Sequence, residues 1–252
     1  MHSKSLFILI VFLAIVHCTF SQQKDTTKTP FRFAGAFFLT NNGISLIPTF
    51  SLGEPAAIVN LYMGKRLSFE PDLRFSLKGK PWSFIFWFRY KLVQQDKFRF
   101  TVGLHPAMNF RTVTSLPDSN EIIVARRYFA GELAPNYFIS RSVSIGMYYL
   151  YSRGIDKEAV RNTHFLTLNS TISDIKLFWD LALRFMPQVY YLKQNEEDGF
   201  FCTATLALAR KNFPLSALAI FNKTIETDIT GSKDFIWSIS LVYSFSKVYA
   251  EK

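Results

Sequence analysis

The chain has 252 residues, of which 49% are hydrophobic and 17% aromatic, with 27 phenylalanines and a formal net charge of +10. No stretch after the first twenty residues supplies eighteen uninterrupted apolar residues, which excludes membrane-spanning helices. Of two cysteines, Cys18 falls in the leader, so Cys202 is left alone and an internal disulfide is excluded.

The first residues read as a secretory leader. Lys4 precedes the apolar run Leu6 to Val16, and Thr19, Phe20 and Ser21 follow before Gln22. That order predicts a signal peptide over residues 1–21, cleaved near Ser21, with a core too short to span a bilayer. His17 stands before Cys18 where lipid attachment needs a small residue, which argues against a lipoprotein. Removing the leader takes one lysine and no acid, leaving a mature charge of about +9. An exported basic chain points to a membrane surface or an anionic solute as partner, and away from nucleic acid. Residues 22–30, QQKDTTKTP, are polar and aperiodic and read as a disordered lead. Residues 31–252 show no composition shift and are taken as one domain.

From Phe31 onward the chain alternates. The clearest segment is Phe98 to Arg111. Phe98, Phe100, Val102, Leu104, Pro106, Met108 and Phe110 share one face, against Arg99, Thr101, Gly103, His105, Ala107, Asn109 and Arg111 on the other. Successive strand side chains point to opposite sides, so this segment is a strand between an apolar medium and a polar one. The same pattern recurs over 67–77, 82–93 and 234–249, with Trp and Tyr towards the ends of the runs, where aromatic girdles meet the membrane interface. Further spans are predicted at 31–52, 56–64, 121–139, 143–153, 162–173, 176–192, 200–210 and 214–225, the last two alternating poorly. So much phenylalanine at strand spacing would aggregate in water, and lipid is its natural medium.

Twelve spans result if 31–52 is one strand bulged near Gly43, and thirteen if Asn41-Asn42-Gly43 is a hairpin turn. Bacterial barrels have even strand numbers, short periplasmic turns and longer outer loops. Counted back from the C-terminus, the connections near 53–55, 78–81, 114–120, 154–161, 193–199 and 226–233 become outer loops, and they are the longer group. Twelve is therefore expected. Pro48, Pro71, Pro106, Pro135 and Pro187 fall inside strands, lack the N–H a ladder needs, and predict local bulges or bends.

With the apolar faces in lipid, the lumen receives Glu70, Asp72, Arg74, Arg89, Lys91, Arg99, His105, Arg111, Arg126, Glu132, Asp180 and Arg184. A basic wet pore concentrates anions. In the alternative, Glu70, Asp72 and Glu132 pair with neighbouring arginines and close the interior. After the leader only His105 and His164 remain, and no nucleophile elbow, paired metal ligands or phosphate loop is present. No cofactor or metal is expected. His105 reads as a satisfied lumenal histidine in preference to a catalytic base, His164 as interfacial, and Cys202 as a small apolar residue.

The alternating segment Phe98 to Phe110, the closing strand Phe235 to Phe245 and the leader together resemble outer-membrane β-barrel proteins of Gram-negative bacteria. The resemblance implies a closed antiparallel all-β transmembrane barrel, and its architecture is similar to small porins that admit acidic oligosaccharides through lumenal arginines. Three functions follow as expectations: a non-enzymatic porin passing small anionic solutes, a filled barrel anchoring an envelope protein partner, and, last, a barrel hydrolase using His105. A soluble periplasmic sandwich is the structural rival.

Overall fold

The computed structural model describes residues 30–115, 120–178 and 180–249, so the leader, its cleavage site and most of the polar lead lie outside the described residues. Twelve strands run in order: β1 (Phe31–Thr40), β2 (Ala56–Gly64), β3 (Leu67–Ser76), β4 (Pro81–Gln94), β5 (Phe98–Ser115), β6 (Asn120–Phe138), β7 (Val143–Gly154), β8 (Asn162–Lys176), β9 (Leu181–Gln194), β10 (Glu197–Arg210), β11 (Leu215–Thr227) and β12 (Phe235–Tyr249). Each pairs antiparallel with its sequence neighbour, and β1 closes on β12 from Phe31↔Tyr249 to Thr40↔Ser240, so the sheet has no edge.

The polarity of the wall is inverted relative to a soluble protein. In β12, Phe235, Trp237, Ile239, Leu241, Tyr243 and Phe245 are exposed on the outside, while Ser238, Ser240 and Val242 are buried inside. In β5, Leu104 is 54% exposed and its neighbour His105 only 5%. A closed ladder satisfies every backbone group without water, and an apolar outer belt needs hydrocarbon around it. A sandwich would bury these phenylalanines, so the soluble rival is set aside.

Both ends of the described barrel, Phe31 and Tyr249, lie at the side of the short turns 65–66, 95–97, 139–142, 177–180 and 211–214. These turns are periplasmic and the opposite connections face outward. Among the outer connections, 41–55 is the longest and 195–196 is a two-residue turn with Asn195 at φ 55°. A loop over 193–199 was expected. Asparagine tolerates the left-handed conformation a tight hairpin needs, so the strands run on instead.

Three further expectations are corrected. Residues 44–52 are not strand: β1 stops at Thr40, and 41–55 is a loop containing a short 3-10 turn, Pro48–Phe50. Gly43 is therefore not a bulge. Its N–H donates to the Glu54 carbonyl and its own carbonyl accepts from Leu52 and Gly53, which closes the neck of that loop. The turn expected at 173–175 lies at 177–180, because Asp174 adopts φ 59° and β8 continues through a register shift between Ile172 and Ile175.

The prolines also behave differently from expectation. Pro71, Pro106, Pro135 and Pro187 lie in strands, but the register shifts occur elsewhere, at Arg74/Phe75, Lys91/Val93, Ile172/Ile175 and Phe200/Phe201. Each proline instead interrupts one ladder without changing its register. For Pro106, pairing with β4 skips from Ile85↔Ala107 to Phe88↔Leu104, while pairing with β6 runs on through Pro106↔Phe129. Pro71, Pro135 and Pro187 do the same against β2, β7 and β8. Alternate strand residues bond to alternate neighbours, so a missing N–H affects one side only. Pro48 sits outside the sheet, at the start of the 3-10 turn.

Candidate functional site

The 41–55 loop folds into the barrel. Ser51 Oγ accepts from the Ser45 N–H at 2.9 Å and donates to the Ser45 carbonyl at 3.1 Å, which closes the loop on itself. Three wall residues hold its tip. Trp82 Nε1 donates to the Phe50 carbonyl at 2.7 Å, Gln194 Nε2 donates to Thr49 Oγ1 at 2.9 Å, and Arg111 donates to the Thr49 carbonyl. Phe50 packs on Tyr128 with ring centroids 4.8 Å apart. Leu46 and Ile47 pack against a lumenal cluster of Ala130, Leu150, Phe165, Tyr190, Leu192, Phe201 and Ile229. Between loop and wall lies a cavity of ≈ 310 Å³ bordered by Ile44, Phe50, Trp87, His105, Tyr148 and Phe165. The outer half of the lumen is thus narrowed by an apolar contact, and burial of apolar area holds the loop there.

At mid-height the charged residues pair. Arg89 Nε and Nη2 reach Glu132 at 2.5 and 3.2 Å, and Arg89 Nη1 reaches Glu70 at 2.5 Å. Tyr148 donates to Glu132 at 2.7 Å and Ser68 to Glu70 at 2.6 Å. The Arg89 guanidinium lies 4.0 Å from the Trp87 ring centroid, and the His105 ring packs against Trp87 at 3.7 Å with a 48° tilt, its buried Nδ1 without a partner among the described residues, so the histidine is lumenal as expected but not satisfied. Gly103 makes this knot possible. A Cβ there would sit 2.6 Å from Glu132 Oε1, because Gly103 is the residue directly paired with Glu132. Higher up, Arg74 and Asp72 form a two-pronged pair at 2.9 and 2.6 Å. Glu70, Asp72 and Glu132, the carboxylates assigned to the lumen from sequence, are therefore each neutralised.

Among the described residues, Lys91, Arg99 and Arg184 have no acidic partner. Lys91 donates to the Tyr62 hydroxyl and the Lys65 carbonyl, Arg99 lies 4.5 Å from the Phe138 ring centroid, and Arg184 on the lumenal side of β9 has no ion pair among the described residues. Arg111 and Arg126 line the outer mouth with Tyr128, Lys233 and the loop tip around a cavity of ≈ 380 Å³, where Arg126 forms an ion pair with Glu158 at 3.6 Å. Asp180 is a correction. It lies in the turn between β8 and β9 and outside the lumen, because the strand begins at Leu181 and not at 176. Asn60, Asn136, Thr167 and Gln188 on the lumenal side each carry a buried side-chain polar atom without a partner among the described residues, an arrangement costly in a dry interior and ordinary in a hydrated bore.

Charge is also divided between the rims. The periplasmic turns, with the three strand residues bordering each, carry ten basic residues (Arg32, Lys65, Arg66, Lys97, Arg99, Arg141, Lys176, Arg210, Lys211 and Lys247) against three acids, Asp96, Asp174 and Asp180. By the same measure the described outer rim holds eight basic residues and ten acids.

Sequence reasoning missed the loop and its anchors Trp82, Gln194 and Tyr128. Its one signal was Pro48 inside a supposed strand, flanked by Gly43 and Gly53, the latter at φ 79°. His164 lies on the outer face, with Nδ1 2.9 Å from the Tyr149 hydroxyl, as an interfacial residue should. No cluster able to hold a metal ion occurs among the described residues.

No family model matches the chain, and no curated protein matches it in sequence. Among solved structures, the KdgM porin superposes with a TM-score of 0.48 at 9% identity, over 85% of this chain and 99% of that one. The KdgM porin in complex with disordered oligogalacturonate gives 0.47 at 9% identity, over 85% and 99%. The NanC porin gives 0.46 at 12% identity, over 85% and 98%. The pairing and the inverted polarity of its own wall make this chain a twelve-stranded outer-membrane-type β-barrel with an inward-folded loop and lumenal arginines.

Proposed function

We propose that the chain is a narrow porin that passes small anionic solutes by diffusion across the bacterial outer membrane after removal of its leader. The observation that carries this reading is the imbalance inside the wall. Glu70, Asp72 and Glu132 are each ion-paired, whereas Lys91, Arg99 and Arg184 have no ion pair among the described residues. A solute in the bore therefore meets uncompensated positive charge, and Arg111 repeats that charge at the outer mouth. Arg89 and Arg74 act differently: they neutralise carboxylates that would otherwise repel an anion. The acidic oligogalacturonate carried by one structural neighbour accords with the same chemistry. Planar-bilayer recording of the purified barrel in asymmetric KCl tests it. The reversal potential should report chloride preference, and Arg99→Ser with Arg184→Ser should move the permeability ratio towards unity. Cation preference in the unmodified protein would refute the reading.

A second reading has its own observation. Leu46 and Ile47 seat the 41–55 loop against a cluster of six wall residues and Ile229 of another outer loop, which is how a filled structural barrel would be built. It predicts a sealed bilayer at high protein load and an envelope protein that co-purifies with the barrel.

A further inference from the structure

The turn-side excess of cations coincides with a groove on the lipid face. The groove, ≈ 570 Å³, is bordered by Leu67, Phe88, Tyr90, Leu104, Leu133 and Tyr149. Its floor is Gly131, where a Cβ would meet Leu104 Cδ2 at 3.4 Å and the Gly103 carbonyl at 3.8 Å, both ordinary contacts. The register gives the groove a direction. Leu67 pairs with Tyr90, Tyr90 with Val102, Val102 with Leu133 and Leu133 with Tyr149. Leu67 opens β3 at the periplasmic edge, whereas Tyr149 lies six residues into β7 from Val143. The row therefore climbs from the headgroup level towards the middle of the bilayer.

At its lower end stands Arg66. Its guanidinium is exposed, lies 5.3 Å from the Tyr90 ring centroid, and donates Nε and Nη2 to the Lys91 and Leu92 carbonyls at 3.0 and 2.9 Å. Those bonds fix the side chain and leave Nη1 for a ligand. Lys97 in the next turn is also exposed. We propose that Arg66, Lys97 and this groove form a site for one anionic phospholipid of the inner leaflet, its phosphate on Arg66 and one acyl chain laid over Gly131. Charge selects the leaflet: the outer rim, with acids in excess, would repel an anionic headgroup, and the turn rim attracts it. The occupant is a phospholipid and not a free phosphate because the apolar floor continues directly from the cation.

Native mass spectrometry of the delipidated barrel, titrated with dioleoylphosphatidylglycerol or dioleoylphosphatidylcholine, gives the dissociation constant of the first lipid. Phosphatidylglycerol should bind about 5-fold more tightly, the effect of one near-surface basic residue. Arg66→Ser with Lys97→Ser should abolish that ratio, and Lys78→Ser with Lys80→Ser on the opposite rim should leave it intact. Gly131→Leu should weaken both lipids, with heat-modifiable migration confirming a closed barrel; Gly131→Ala should do so less and is sterically tolerated. Equal affinity for the two lipids, a ratio that survives Arg66→Ser with Lys97→Ser, or full competition by tail-less glycerophosphoglycerol overturns the proposal.

Discussion

Replacing Leu46 and Ile47 by serine should release the inward loop without opening the wall. Both side chains are partly buried against the lumenal cluster. Full burial of such a side chain is worth about 1.5–3 kcal/mol, so half-burial of the pair contributes ~1.5–3 kcal/mol. At about 1.4 kcal/mol per factor of ten, that loss makes excursions of the loop from its seat roughly 10- to 100-fold more frequent. The anchors from Trp82, Gln194 and Arg111 remain, at about 1 kcal/mol each, so the loop should return and not stay detached. The assay is single-channel recording. The variant should show faster, larger current fluctuations around a raised mean conductance, while its heat-modifiable gel shift keeps the wild-type temperature. Unchanged noise and conductance would refute the view that this contact narrows the bore. A barrel that unfolds at lower temperature would show that the loop contributes to the wall, which the reasoning denies.

Four other outcomes are expected. Gly103→Ala should displace Glu132 from Arg89 and cost about 3–5 kcal/mol, the scale of breaking a buried pair, read as a lowered heat-modification midpoint; Gly131→Ala, whose Cβ meets only an ordinary contact, is the control. Trp82→Phe removes the donor to the Phe50 carbonyl and should raise current noise less than the Leu46/Ile47 change, consistent with one hydrogen bond of about 1 kcal/mol. In the outer loops, hydrogen bonds from Lys78 and Ser76 hold the Glu54 carboxyl below the usual carboxylate range. A depressed pKa stabilises above the unfolded value and is lost as pH falls through the folded one. Protection of the loop-neck amides, exchange corrected for its intrinsic pH dependence, should therefore stay constant down to the usual carboxylate range and fall only below it, and Glu54→Gln should remove that dependence. Cys202 sits on the lipid side of β10 beside Ala204 and Val189, so a membrane-soluble maleimide should label it and a charged one should not.

The fold was legible because its information is local. Period-two alternation in Phe98–Phe110 and Phe235–Phe245 fixes which side meets lipid, and a one-residue slip would reverse it. Faces were therefore readable wherever the two sides differ in polarity. In β10 and β11, alanines and small polar residues occupy both sides, and Leu218 and Ile220 point inward, so the alternation blurs. The lumenal residues were legible as a set, but not their partners. That Glu132 pairs with Arg89, 43 positions earlier, depends on the registers Arg89↔Gly103 and Gly103↔Glu132 across β5. Asp180 was misplaced for a local reason: the polar pair Ser173-Asp174 reads as a turn, whereas Asp174 absorbs the irregularity in a left-handed residue and the strand continues.

The inward loop was illegible for a related reason, and it shows how the molecule divides its labour. Ile44, Leu46, Pro48, Phe50 and Leu52 alternate as a lipid-facing strand would, yet what they meet is protein. Alternation records that one face is apolar and not which apolar medium covers it. The difference lies in the backbone. A strand in the wall must give each N–H to a neighbour, whereas Pro48 opens a 3-10 turn in which Phe50 and Ser51 bond back to Ile47 and Pro48. A segment that satisfies its own hydrogen bonds needs no place in the ladder. The wall then closes through β1 and β2 without it, in unbroken register from Arg32↔Gly64 to Thr40↔Ala56. The rigid, lipid-stabilised cylinder and the seat of the loop are thus separate energetic units. That separation is what allows the loop to be loosened by a mutation while the barrel stands.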